Sequence, residues 1–305
     1  MRIAALVNPA ARAGAQTLVA DRAVDRLRAH GHSVVRVSGG SAKESVELLG
    51  ELADRDDVDA LAVIGGDGTM RLALEPAARS AKPLGIIPSG TGNDLAALLG
   101  LRERDAETAA DVIAAGHTEP LDLARTTSGT RATALYATVL ASGFDSRVND
   151  RANAMRWPRG HSRYNIAILR EFLTLRGIPY TIDLVTAAGA ERRITEDLAM
   201  ATVGNGPTYG GGIPVCPAAD PRDGLLDVTL VRPAGRARLL RLLPRLYQGT
   251  HIEADEVETL RVRSIRLDSP GITAYADGDP IGALPLTIDV VPRAVTMFTP
   301  ALAAS

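Results

Sequence analysis

Up to Pro120 the apolar residues fall in short runs, separated by longer stretches in which they recur three and four positions apart. Arg2–Val7, Ser33–Val37, Asp59–Ile64 and Leu84–Ile87 read as strands, and Thr17–Ala29, Ser41–Ala53, Met70–Arg79 and Asn93–Leu98 as helices. Regular strand–helix alternation predicts a parallel sheet covered on both faces, with ligands at the carboxyl ends of its strands. Beyond Pro120, Gly, Thr and β-branched residues dominate. Leu121–Thr126, Thr133–Leu140, Tyr180–Thr186, Arg192–Val203, Leu226–Val231, Val257–Leu267, Thr273–Ala276 and Leu286–Val290 suit an antiparallel sheet, interrupted by helices over Ser162–Arg176 and Ala234–Tyr247. The expected fold class is α/β: a parallel α/β domain over 1–122, to which about 294–305 return, and a β-rich, sandwich-like domain over 123–293.

Composition narrows the function classes. Of 305 residues, 34 are basic and 36 acidic, a net charge of −2 that provides no global field for nucleic acid. One cysteine, Cys216, cannot form an internal disulfide, and the five histidines have no zinc-type spacing, so a reducing, cytoplasmic home is expected. The N-terminal apolar run is too short for a signal peptide. The longest uncharged stretch, Leu198–Ala219, carries five glycines and three prolines, so no transmembrane segment is expected.

Two corners carry the chemistry. The strand ending at Ile64 runs into Gly65-Gly66-Asp67-Gly68-Thr69 and then a helix. Missing Cβ atoms let backbone N–H groups close on phosphate oxygens, and the helix start adds its positive dipole end. The Walker pattern is absent and the chain has only two lysines, Lys43 and Lys82, so phosphate charge must be met by amides, arginine or a divalent metal. The plain alternative is a structural turn with glycines for tight packing, but an unpaired Asp67 beside phosphates favours a metal or a substrate hydroxyl. A second strand runs into Pro88-Ser89-Gly90-Thr91-Gly92-Asn93-Asp94-Leu95-Ala96, where Asn93 or Asp94 could simply cap a helix.

Taken in order, these two motifs resemble the diacylglycerol kinase catalytic family, soluble bacterial lipid kinases related to sphingosine and ceramide kinases. Gly204-Asn205-Gly206, Tyr209-Gly210-Gly211-Gly212, Pro217-Ala218, Asp223-Gly224-Leu225-Leu226-Asp227 and Asp277-Gly278-Asp279 follow in the order that family shows, and the similarity runs from Asn8-Pro9 to the last strand. The resemblance implies ATP- and Mg²⁺-dependent phosphorylation of a lipid hydroxyl, with ATP in the interdomain cleft. By matching positions, Asn8, Ser38, Gly65, Gly66, Asp67, Gly68, Thr69 and Thr91 would contact the nucleotide, and Mg²⁺ would bridge its phosphates to Asp67 and Asp94. Asp223, with the carbonyls of Asp220 and Leu225, would form a structural Mg²⁺ site; an Asp-Gly turn is the plain alternative. Asp279 stands where the family usually has glutamate, the proposed general base, and the competing reading is a hairpin turn. A second departure is Asn8-Pro9-Ala10-Ala11-Arg12-Ala13-Gly14, which lacks the family's serine and offers Arg12 instead.

A lipid acceptor implies peripheral membrane contact. Arg238, Arg241 and Arg245 fall on one face of the second β-domain helix, and Leu239, Leu242, Leu243 and Leu246 on another; packing of these leucines on the sheet competes with an interfacial role. The basic stretch Arg151–Arg163 around Trp157 is a second membrane candidate, against a buried tryptophan anchor. Pairing through an edge of the β-rich domain would give a homodimer. Two other classes share parts of the pattern: an NAD kinase-like enzyme acting on a soluble metabolite, and a non-catalytic nucleotide- or lipid-binding regulator on the same scaffold.

Overall fold

The structure is a computed structural model that describes residues 1–7, 15–129, 131–155, 157 and 161–301. The expected nucleotide contact Asn8, with Arg12 of the same loop, and Arg156 and Arg159 beside Trp157 lie outside the described residues. The chain divides into two compact units, one of Met1–Leu123, Gly210–Gly212 and Pro292–Ser305, the other of Ala124–Tyr209 and Ile213–Val291.

The first unit begins β1 (Arg2–Val7), α1 (Ala15–Ala29), β2 (Ser33–Val37), α2 (Ala42–Ala53), β3 (Ala60–Gly65), α3 (Asp67–Ser80), β4 (Leu84–Pro88), α4 (Asp94–Leu98) and α5 (Ala106–Ala115). Its strands pair in parallel in the order β2-β1-β3-β4. Ile3, Ala5, Ala60, Ala62 and Ile64 face α1 and α5, while the alternate Ala4, Leu6, Leu61 and Val63 are equally buried, as a sheet covered on both faces requires. Ser41 starts α2 by accepting the Glu44 N–H at 3.2 Å, and Asp105 starts α5 by accepting that of Thr108 at 2.7 Å. The pattern of hydrophobic positions did not reveal α5, because the buried stripe Ala106, Ala109, Ala110 and Ile113 is mostly alanine.

The chain continues through β5 (Thr118–Ser128), β6 (Arg131–Tyr136), β7 (Val139–Gly143), α6 (Phe144–Ala154), α7 (His161–Leu173), β8 (Ile178–Thr186), β9 (Glu191–Leu198), β10 (Met200–Gly204), β11 (Leu226–Val231), α8 (Arg236–Gln248), β12 (Val257–Asp268), β13 (Thr273–Ala276), β14 (Asp279–Ala283) and β15 (Leu286–Phe298). In the second unit β14-β13-β7-β10-β11-β12 pair in antiparallel order. β12 pairs β11 through Val262 and then, past an irregularity between Val262 and Ser264, runs between β8 and the start of β15. A strand that changes partners at a bulge turns the corner of a sandwich, and the core of Tyr136, Tyr180, Ile182, Val228, Ile265 and Ile288 fills it.

Several boundaries differ from expectation. Thr133–Leu140 divides into β6 and β7 around Ala137-Thr138, and Arg192–Val203 divides into β9 and β10 at Ala199. β15 runs on to Phe298, past the expected strand end at Val290. Trp157 is 83% exposed, which removes the buried-anchor reading. On α8 only Leu239 is buried, Leu242 and Leu246 are half-buried and Leu240 and Leu243 exposed, so the leucines are not packed on the sheet as a block.

Candidate functional site

The carboxyl ends of the parallel strands set the site. Val7 lies beside Ile64 and Gly65 beside Pro88, so the segments that follow β3 and β4 leave from adjacent strand ends on one edge. Ser38, exposed, comes one residue after β2 on that same edge. Gly66 caps α3, which places Asp67, Gly68 and Thr69 in its first turn, three residues earlier than periodicity indicated. The first-turn amides have no partner four residues back, so this helix start presents donors and a positive dipole end.

The glycines are required by the neighbouring loop. A Cβ on Gly90 would lie 2.6 Å from Gly66 Cα, one on Gly66 would lie 3.2 Å from Gly90 Cα, and one on Gly92 would lie 2.5 Å from Asp67 Oδ2. The Ser89 N–H donates to the Gly65 carbonyl at 2.9 Å, which closes the two corners on one another. Gly90→Ala therefore forces backbone against backbone. It is expected to destabilise the first unit by about 1–3 kcal/mol, read as a lower midpoint in urea, and to weaken nucleotide binding.

Asp67 is not the unpaired carboxylate that the sequence suggested. Its Oδ2 accepts the Asn93 N–H and its Oδ1 the Asp94 N–H, each at 2.7 Å, so it holds the start of α4 from the other corner. Burial and then the Asp94 charge push its pKa up, while the amides of Asp94, Asn93 and Leu95 oppose the shift. Asn93 adopts φ 52° and does not cap α4 with its side chain; its amide instead bonds both the N–H and the carbonyl of Gly90. Thr91, between them, is exposed.

Asp94 is buried and also occupied, Oδ1 accepting from Arg102 Nη2 and Oδ2 from the Gly211 N–H, both at 2.8 Å. Gly210, Gly211 and Gly212 all have positive φ, and a Cβ on Gly212 would strike the Arg102 guanidinium, so three glycines in succession meet a backbone requirement here. Nothing local in the sequence marks Arg102. Both carboxylates expected to bridge a metal thus accept one protein donor on each oxygen, an arrangement that leaves each oxygen a second lone pair.

The second acidic motif divides its labour. Asp277, at φ 49°, and Gly278, at φ 87°, form the two-residue turn between β13 and β14. The Asp277 carboxylate accepts from the N–H groups of Ala137 and Thr138 at 3.0 Å and from the Thr138 hydroxyl at 2.5 Å. Asn205 holds the same connection, donating its side-chain amide to the Ala137 carbonyl at 2.8 Å. Asp277→Ala is expected to lower stability by about 2 kcal/mol, the order expected for bonds to a charged acceptor, in chemical denaturation. Asp279 is the first residue of β14, opposite Ala276, and is half-exposed.

At the third motif, Leu225 N–H bonds Asp223 Oδ1 at 3.0 Å, Arg222 N–H bonds Asp220 Oδ1 at 3.1 Å, and Arg261 pairs with Asp223. Among the described residues no three acidic, histidine or cysteine side chains converge on one point. A cation here would rest on the Asp223 carboxylate and the Asp220 and Leu225 carbonyls, hard oxygens of the kind Mg²⁺ takes. Asp227 shares Arg261 with Asp223. Its buried Oδ2 makes no hydrogen bond but lies 3.7 Å from Arg261 Nε, and burial pushes its pKa up, with Arg261 opposing and Asp223 adding to the rise.

Comparisons with known proteins follow the two units. The family profile of the diacylglycerol kinase catalytic domain matches residues 2–126, and that of the YegS C-terminal NAD kinase beta sandwich-like domain matches residues 138–299. A diacylglycerol kinase of Mycobacterium tuberculosis (strain H37Rv) is 44% identical over 299 residues, covering 98% of this chain and 95% of its own. A protein of Pectobacterium atrosepticum named "Probable lipid kinase YegS-like" is 28% identical, covering 90% of this chain and 88% of its own. The crystal structure of a diacylglycerol kinase from Bacillus anthracis superposes with a TM-score of 0.71 at 22% identity, covering 98% of this chain and 97% of that one, a likeness of fold.

Proposed function

The chain belongs to the diacylglycerol kinase catalytic family, and on that premise we propose that it transfers the γ-phosphoryl group of ATP to the hydroxyl of diacylglycerol or a closely related lipid. The observation that carries this reading is the latch between the corners, in which one carboxylate of α3 holds two amides of the second loop. Phosphoryl transfer is chiefly positioning and charge neutralisation. The Gly66 cap and the first turn of α3 supply amide donors to the phosphates, Thr69 and Thr91 supply hydroxyls, and Arg102, steered by Asp94, supplies cationic charge beside them. Asp67 acts as a positioning residue that sets the distance between the two corners. Ser38 follows the neighbouring strand end, and it and Asn8, which lies outside the described residues, are assigned to the nucleotide.

Mg²⁺ supplied with the nucleotide would neutralise charge on the phosphate oxygens. The separate cation suggested at Asp220, Asp223 and Leu225 would hold the loop before β11 and take no part in the transfer. Asp279 is assigned to accept the proton of the lipid hydroxyl as its oxygen attacks the γ-phosphorus in line, with ADP leaving. Aspartate reaches one methylene less far than glutamate, so the acceptor must approach this strand end closely.

Incubation with γ-labelled ATP, Mg²⁺ and a panel of lipids in mixed micelles tests the reading. Label is expected in phosphatidic acid or the phosphate of a related lipid; label in no lipid, or in NAD in their place, would overturn it.

A further inference from the structure

Asp279 sits where the backbone holds it least. β14 is an edge strand, paired with β13 alone among the described residues. The residue after Asp279 is Pro280, which has no N–H to give the ladder. Tyr275 and Ala274 are neighbours on β13, yet their partners on β14 are Pro280 and Gly282, so Ile281 is an extra residue, a bulge of the kind found beside active sites. A general base has to be held within hydrogen-bond reach of the proton it takes. An edge strand with a proline and a bulge does not secure that by its ladder alone.

Side chains supply the missing constraint. Asp277 fixes the turn through the N–H groups of Ala137 and Thr138. Tyr275 fixes the strand from the other face: it lies opposite Pro280 of β14 and Ala141 of β7, whereas Asp279 lies opposite Ala276, and successive residues of a strand point to opposite faces. Tyr275 is buried and donates its hydroxyl to Asp150 Oδ1 at 2.6 Å, in the charge-assisted range, with the Asn153 amide nitrogen 3.5 Å from the same hydroxyl. A phenol this buried needs a partner for its O–H, and α6 provides it.

α6 is itself firmly held. It starts at the end of β7, where a Cβ on Gly143, at φ 94°, would come within 2.8 Å of the Ala199 carbonyl oxygen, and where the Ser146 hydroxyl accepts the Gly143 N–H at 3.0 Å. Val148 and Ala152 pack with Ala167 of α7, and Arg151 pairs with the buried Glu171 of that helix. Asp150 and Arg151, adjacent in sequence, thus tie one helix in two directions, to the β13–β14 hairpin and to α7.

We propose that Tyr275, gripped by Asp150 of α6, is the positioning residue that holds β14 so that Asp279 meets the acceptor hydroxyl. Tyr275 acts through the strand and not on the substrate. The proposal rests on the kinase reading and on Asp279 as its base.

Steady-state kinetics with γ-labelled ATP and lipid micelles test it. Tyr275→Phe is expected to lower kcat about tenfold with KM for ATP unchanged. Asp150→Ala is expected to match it, the two together to be no slower than either alone, and Asp150→Asn, whose oxygen still accepts the phenol, to keep most of the activity. Once the base is gone its placement no longer counts, so adding Tyr275→Phe to Asp279→Asn is expected to leave the residual kcat where Asp279→Asn alone puts it. Ser264→Ala, which gives up a hydroxyl–carboxylate bond to Asp289 elsewhere in the second unit, is the control with wild-type kcat. Amide exchange over residues 279–283 is expected to quicken in Tyr275→Phe and Asp150→Ala and to stay at the wild-type rate in Asp150→Asn.

Undiminished kcat in Tyr275→Phe, a further multiplied loss when it joins Asp279→Asn, or unchanged exchange over 279–283 in Tyr275→Phe would overturn the proposal, and a wild type that labels lipid would leave the kinase reading intact. A wild-type protein that phosphorylates no lipid would refute that reading, and with it any part for Tyr275 in placing a base.

Discussion

Asp279→Asn is expected to lower kcat for lipid phosphorylation by about 10²–10⁴-fold, the range that a positioned general base supplies. The substitution keeps size and hydrogen-bonding capacity at the first residue of β14 but removes the proton acceptor. The turn before it is held by Asp277 and Gly278, and the anchoring bonds to Ala137 and Thr138 belong to Asp277. The unfolding midpoint is therefore expected to stay within experimental error, and KM for ATP to stay near that of the wild type. Asp279→Glu, which lengthens the side chain, is expected to keep most of the activity. Near-normal kcat in Asp279→Asn, measured with γ-labelled ATP in micelles, would remove the residue from the chemistry.

Asp67→Ala is expected to have the largest effect on nucleotide use. It leaves the amides of Asn93 and Asp94 without their acceptor and frees the start of α4. Bonds to a charged acceptor contribute about 1.5–3 kcal/mol each, so KM for ATP is expected to rise on the order of tenfold to a hundredfold. Asp67→Asn separates geometry from charge, since one oxygen still accepts an amide while the NH₂ group meets the second donor. Because burial and Asp94 raise the Asp67 pKa in the fold, the folded state holds this proton more tightly than the unfolded chain does. Its contribution to stability is then greatest in acid and falls as pH rises through the window above about 3.8, the ordinary value. Asp67→Asn is expected to remove that slope, read as urea midpoints compared at about pH 4 and about pH 6.

Much of the first unit is readable from residue spacing because β1, β3 and β4 are short and apolar. β1, β3 and β4 are buried nearly throughout, so each appears as an apolar run, and glycine-rich corners end β3 and β4 where a backbone approach forbids Cβ atoms. Elements went unread where the signal is weak or masked. α5 buries alanine, which adds little to a hydrophobic stripe. β9 and β10 meet at Ala199 without a glycine or proline to mark the break, and β15 continues past the expected end at Val290 through Pro292 and Arg293, the latter at φ 52°.

The site was legible in its residue types and less so in its partnerships. Gly65 to Thr69 and Gly90 to Asp94 stand out in the sequence, but the bonds that organise them join Asp67 to residues 26 and 27 positions on, and Asp94 to Gly211, 117 positions on. No local pattern encodes such distances. The same limit hid Asp277: an Asp-Gly-Asp run marks a hairpin, yet which aspartate anchors it and which faces outward depends on a connection some 140 residues earlier.

ATP binding to Asp67→Ala and Asp279→Asn, titrated calorimetrically without lipid, tests the central claim most directly, because it separates holding the triphosphate from transferring its last group. Asp279→Asn is expected to bind with wild-type affinity and Asp67→Ala about tenfold or more weakly. Undiminished ATP affinity in a folded Asp67→Ala protein would contradict the latch between the two corners, and with it the nucleotide site built on them.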